Sequence, residues 1–271
     1  MLILALATSA RGSTVHDEIP FQRREGLIYI SAHVPNSSTP LSFLVDSGAQ
    51  VSILNRAIAQ KLGVKSGAIA NVLGVGSSTT GYWTTLSGVR AGQLNLPRDY
   101  LVLDLAQLSA SCTNTPIDGI LGSDFFRDRV VQIDYQEQVL RILPNAVAKA
   151  GTEILPLKIR RCGMLVPVKV NGGKTQWVRL DTGCASALQW VSGDSRPEGC
   201  TERIAVALTS LSLFVTTTDL SLGSLLYRQV PTDLHPREIF PGEKGLLGNG
   251  LLSRFNTVTI DPKKRRVLLQ Q

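Results

Sequence analysis

The chain repeats itself, and that repeat constrains its fold more than any other feature. In the first half the apolar run Leu41-Ser42-Phe43-Leu44-Val45 ends in Asp46-Ser47-Gly48-Ala49; the second half answers with Trp177-Val178-Arg179-Leu180 and then Asp181-Thr182-Gly183-Cys184. Further on, Asp118-Gly119-Ile120-Leu121-Gly122-Ser123 leads to Val130-Val131-Gln132-Ile133-Asp134 and on to Val139–Leu143. Its counterpart, Lys244-Gly245-Leu246-Leu247-Gly248-Asn249, leads to Thr257-Val258-Thr259-Ile260-Asp261 and on to Arg266–Leu269. Asp46 precedes Gly119 by 73 residues and Asp181 precedes Gly245 by 64, while those glycines precede Asp134 and Asp261 by 15 and 16. Blocks of one character in one order at near-equal spacing mark duplicated units. Small and polar residues from Pro144 to Gly151 interrupt the pattern, so the units are expected at 17–147 and 148–271.

Within each unit the apolar residues fall in short runs broken by 24 glycines and 13 prolines, with few long stretches at helical spacing. This predicts an all-β fold with short helices. One helix is expected over Arg56–Leu62, capped by Asn55 and ended by Gly63, and another from Ser123. The formal charge is +7, but Lys and Arg are spread along the chain; the densest run, Lys263-Lys264-Arg265-Arg266, reads as a solvated hairpin turn rather than a nucleic-acid patch. Met1–Ala10 is apolar and then small, as at the end of a secretory signal peptide, though it lacks a basic leading segment; it is either that or an apolar tail, and export is the expectation. No other stretch is apolar for long enough to span a bilayer.

Cys112, Cys162, Cys184 and Cys200 show no C-x-x-C spacing, which argues against zinc; Cys184 reads as a small buried thiol, and disulfide connectivity stays open. The histidines His16, His33 and His235 stand in no hydrolase motif; His33 is expected on a strand and His235 in a loop over Pro231–Pro236. No phosphate-binding G-x-x-x-x-G-K-S/T occurs, and no cofactor or metal is implied.

The doubled Asp-Ser/Thr-Gly, each followed later by two apolar residues and a glycine (Ile120-Leu121-Gly122 and Leu246-Leu247-Gly248), resembles the pepsin and retropepsin superfamily of aspartic peptidases. It is most similar to short retropepsin-like lobes in tandem, as in some bacterial aspartyl proteases. The resemblance implies a two-lobed fold, each lobe a small β-barrel, with the active site between lobes. It implies Asp46 and Asp181 as the catalytic pair, with Ser47, Gly48, Thr182 and Gly183 supporting them. Two carboxyls held together share one proton, so one can activate water while the other acts as acid; aspartic peptidases work in this way, and the resemblance transfers that chemistry here. A flap over the cleft is implied at Leu73–Trp83, with Gly74, Val75, Gly76, Tyr82 and Trp83 as candidate substrate-binding residues and its glycines as hinges. The corresponding stretch of the second half, Thr201–Thr218, has no glycine cluster, so a single flap is expected. The implied partner is a peptide or protein substrate cleaved by a monomer whose two lobes pair within the chain. The rival reading is an inactive relative that binds peptides or serves in assembly; two retained carboxylates that repel one another argue for catalysis.

Overall fold

The computed structural model describes residues 17–74, 77–112, 116–160, 163–193, 201–206 and 210–271. Strand makes up 52% of the protein and helix 8%, so the fold is mostly β. The first half begins with β1 (Asp17–Arg24), β2 (Leu27–Ala32), β3 (Leu41–Val45), β4 (Ile53–Asn55) and α1 (Arg56–Lys61). It continues through β5 (Ile69–Gly74), β6 (Ser77–Thr85), β7 (Arg90–Ala91), β8 (Leu94–Asn95), β9 (Asp99–Leu103) and α2 (Ala106–Cys112). It closes with β10 (Gly119–Leu121), α3 (Ser123–Phe126), β11 (Val130–Asp134) and β12 (Val139–Leu143). The second half opens with β13 (Glu153–Pro156), β14 (Lys158–Arg160), β15 (Gly163–Val170), β16 (Gln176–Asp181) and β17 (Leu188–Val191). Then come β18 (Thr201–Val206), β19 (Ser210–Leu222), β20 (Leu225–His235), β21 (Gly245–Gly248), α4 (Asn249–Leu252), β22 (Thr257–Asp261) and β23 (Arg266–Gln270).

The repeat in the sequence is a repeat in strand pairing. In the first half β10 lies between β3, parallel to it, and β4, antiparallel; in the second half β21 lies between β16 and β17 in the same senses. Inserting a late strand between two early ones forces the chain between those two to loop over its end, and Asp46 and Asp181 stand at those loops. The halves are joined through β11 and β22, which pair antiparallel at the centre of the run β13-β23-β22-β11-β12-β1. Three strands from each half thus meet in reversed order, as a two-fold relation requires. Val131, Ile133, Val258 and Ile260 of this junction are fully buried and belong to the main apolar core.

Local signals act as their chemistry dictates. The Asn55 side chain accepts the Ala57 N–H at the start of α1, and Gly63, at φ +63°, takes the left-handed conformation that ends the helix. The turn after β22 leaves Lys263, Lys264 and Arg265 exposed; Asp261 accepts the Lys264 N–H and pairs with Arg266. Asp134 does the same in the first half, accepting the Glu137 N–H and pairing with Arg141. His33 is exposed on an isolated bridge to Arg90.

Two expectations are corrected. Pro231–Pro236 is not a loop: β20 runs through Pro231 to His235, and His235 is buried, with Nε2 3.1 Å from the Gln189 side-chain oxygen. Pro231 pairs with Thr217, next to the register irregularity at Thr218–Leu220 that loosens the ladder there. The second half also carries a hairpin, β18 with β19, at the position of the β5–β6 hairpin; both are joined to the sheet by the inner strand, β6 to β9 and β19 to β20. Glycine content was the wrong signal for it, since alternating Thr, Val, Leu and Phe suffice to pair a ladder. Among the described residues no helix is long and apolar enough to cross a membrane. Met1–Ala10, His16, Cys162 and Cys200 lie outside the described residues.

Candidate active site

Asp46 follows the last residue of β3, and its N–H donates to the Leu121 carbonyl of β10, 2.9 Å away; Asp181 ends β16 in register with Gly248 of β21. The two carboxyls are brought together, each lying against the glycine of the opposite half. The Gly48 and Ala49 N–H groups donate to Asp46 Oδ1 at 2.8 and 2.9 Å, and the Gly183 N–H donates to Asp181 Oδ1 at 2.9 Å. Each glycine also stands against the opposite carboxylate. A Cβ on Gly48 would fall 2.4 Å from Asp181 Cγ, and one on Gly183 would fall 2.3 Å from Asp46 Cγ. The reason for glycine here is therefore contact across the halves.

Ser47 and Thr182 are fully buried, and their bonds run across the halves rather than to the carboxylates. The Ser47 N–H donates to Thr182 Oγ1 at 2.9 Å, and that hydroxyl donates to the Val45 carbonyl at 2.9 Å. The Thr182 N–H donates to Ser47 Oγ at 3.1 Å, and that hydroxyl donates to the Leu180 carbonyl at 2.8 Å. A second tie runs from the Tyr135 hydroxyl to Asn249 Oδ1 (2.7 Å), with Asn249 Nδ2 donating to the Thr182 carbonyl (2.6 Å). Thr182→Ala leaves buried partners unsatisfied and is expected to cost about 1–3 kcal/mol, whereas Thr182→Ser keeps the bonding oxygen and should cost less; urea unfolding of both variants measures the difference.

Electrostatics separates the two carboxyls. Burial raises the affinity of Asp46 for its proton, opposed by the Ala49 and Gly48 N–H donors and the Arg179 charge. Asp181 is raised well above the ordinary carboxylate range by burial first and by the Asp46 charge second, with fewer donors to offset them. The two titrate as a pair that shares one proton, and the two N–H donors on Asp46 Oδ1, against one on Asp181, favour the charged form of Asp46. The Cys184 thiol is buried and free, and burial pushes its ionisation far up, so it stays neutral. Among the described residues no group of three or more His, Cys, Asp or Glu is placed to hold a metal ion.

The walls on either side differ. In the first half Leu44, Ile53, Leu101, Leu103 and Ile120 form a second apolar cluster, with Trp83 packed against it. The register-equivalent positions of the second half hold Arg179, Gln189, Asp233, His235 and Leu246, bonded as Arg179–Glu243, Gln189–His235 and Ser186–Asp233. Of the expected flap residues, Gly74 ends β5 and pairs with Ser77, while Val75 and Gly76 lie outside the described residues. Tyr82 sits at the base of the hairpin, partly buried against the main core; a one-residue step in a strand reverses the face, so Trp83 lies on the other side. Sequence reasoning missed Arg179 and Glu243, although a charged residue inside the apolar run before Asp181 was a signal that could have found the first.

No curated protein matches the chain. The stretch that holds Asp46, its glycine and the β10 strand beneath it, residues 30–125, matches the aspartyl protease family.

Proposed function

We propose that the protein is an aspartic endopeptidase in which two lobes, 17–147 and 148–271, each supply one carboxyl to a peptide-cleaving pair. The observation that carries this reading is the reciprocal approach of the two Asp-Ser/Thr-Gly loops, with each glycine against the other half's carboxylate. Ionised Asp46 takes a proton from a water placed between the carboxyls as its oxygen bonds to the scissile carbonyl carbon. Protonated Asp181 gives its proton to the carbonyl oxygen. The resulting gem-diol collapses as Asp46 returns its proton to the departing nitrogen and Asp181 recovers one from a hydroxyl. The C–N bond breaks and the pair is back in its starting state. The pair works while it holds one proton, and burial favours the protonated form of both carboxyls.

Incubating a denatured protein mixture with the parent and with Asp181→Asn from pH 3 to 8, with and without the transition-state mimic pepstatin, tests the reading. Cleavage by the parent that vanishes in the variant is the expected result. Absence of cleavage at every pH, with both proteins folded, would replace the peptidase by a peptide-binding module.

A further inference from the structure

Arg179 is the largest fully buried side chain among the described residues, at 1% exposure. Strand alternation places it on the same face as Asp181, two residues on. Leu246 of β21 pairs with it, as Ile120 of β10 pairs with Leu44, so its counterpart in the first half is an aliphatic residue inside an apolar cluster. One half has leucine where the other has a guanidinium, and the second half is built around the difference. Gly163 has no side chain where a Cβ would fall 2.9 Å from Arg179 Cζ, and the Phe240 ring lies across the guanidinium with its centroid 4.0 Å away. Glu243, itself buried, takes Nε at 2.7 Å and Nη2 in a two-point pair. The remaining nitrogen, Nη1, donates to the Gly48 carbonyl of the other half at 2.8 Å.

That last bond is what an internal ion pair alone does not require. Gly48 is the residue whose N–H holds Asp46 Oδ1 and whose α-carbon abuts Asp181. We propose that Arg179, clamped by Glu243, is a positioning residue of the aspartate pair: it fixes the Asp46 loop of one half against the other and sets a buried positive charge beside both carboxyls. The proposal rests on the aspartic peptidase reading.

The charged and titratable groups around the pair are few. Asp46 comes from its own loop and Arg179 and Asp181 from β16; Cys184 comes from the turn after β16 and stays a thiol. Asp233 comes from β20 and Glu243 from the segment before β21, with Arg160 of β14 lying beyond Gly242. Among these the Arg179 charge favours the ionised form of both aspartates.

The test is the pH dependence of kcat and kcat/KM for the parent, Arg179→Met, Arg179→Lys and Glu243→Gln on a peptide the parent cleaves. Arg179→Met should lower kcat by about 10²-fold, the cost of a small misplacement of reacting groups, and move both limbs of the kcat/KM profile to higher pH, because loss of a cation disfavours every ionisation. Glu243→Gln leaves the cation and removes its counter-charge, so both limbs should move to lower pH. Arg179→Lys should return the limbs toward the parent without restoring kcat, since one ammonium cannot span Glu243 and the Gly48 carbonyl together. If Arg179→Met does not fold, Glu243→Gln with limbs at lower pH and Arg179→Lys with near-parental limbs but lowered kcat decide. Limbs of Arg179→Met and Glu243→Gln that stay in place or move in the same direction, or an Arg179→Lys with parental kcat, overturn the positioning role while the parent still cleaves. A parent that cleaves nothing overturns instead the peptidase reading beneath it.

Discussion

Asp181→Asn is expected to lower peptide hydrolysis by about 10⁴-fold, the upper end of what a positioned acid or base contributes, and yet to make the folded protein more stable at neutral pH. The activity falls because the same pair must both give and recover a proton, and an amide does neither. The stability rises because Asp181 binds its proton more tightly in the folded protein than in the unfolded chain, through burial and the adjacent Asp46 charge. For a carboxyl raised in this way, the favourable contribution is complete below the unfolded value and is lost as pH climbs from there through the folded value. The loss is up to about 1.4 kcal/mol per pH unit for one proton. The amide has no proton to surrender, and its NH₂ can still donate to Asp46. Variant and parent should therefore be equally stable below about pH 4, the unfolded range of an aspartate, and diverge above it in favour of the variant. Asp46→Asn should be as inactive with a smaller gain, because Asp46 Oδ1 serves two N–H donors that favour its charge. Denaturant unfolding at pH 4 and pH 7 measures the difference; parallel curves for parent and variant at both pH values would mean that the carboxyls do not crowd one another.

Which parts of this arrangement could be read from sequence follows from the range of the interactions. The Asn55 cap, the Gly63 stop and the charged turn at Lys263–Arg265 are set by neighbours within a few residues, and the structure has them where the residue types place them. The aspartate loops were legible for a different reason: the chain carries each pattern twice, and each copy vouches for the other. Features without a twin were lost. Arg179 finds Glu243 64 positions away and Gly48 131 positions away, with Leu44 as its uninformative counterpart. His235 lies between two prolines, which read locally as a loop, but its strand is held by β17 and β19. The position of Tyr82 against the core turns on strand parity, which its own neighbourhood does not fix. The roles of Ser47 and Thr182 were seen only in outline, since their partners are groups of the opposite half more than 130 residues away.

Gly183→Ala should reduce kcat by about 10²-fold or more, as expected when reacting groups are displaced by on the order of 1 Å. Backbone conformation is not the obstacle, since Gly183 is not among the residues at positive φ. The obstacle is the methyl group, which would lie 2.3 Å from Asp46 Cγ and 2.6 Å from each of its oxygens. Asp46 cannot simply rotate aside, because the Gly48 and Ala49 N–H groups hold Oδ1. The two loops must then move apart, and any separation stretches the four bonds that Ser47 and Thr182 make across the halves. Overpacking of this kind costs about 1–3 kcal/mol, so loss of stability should accompany loss of rate. Gly48→Ala meets Asp181 in the same way, at 2.4 Å, and should behave alike; because the two substitutions push on the same contact, their combined effect should be smaller than the sum. Gly173→Ala, in an exposed turn away from the site, supplies the comparison for a glycine-to-alanine change as such. A Gly183→Ala protein with parental kcat would mean that the two loops stand farther apart in solution than the bonds between Ser47 and Thr182 allow.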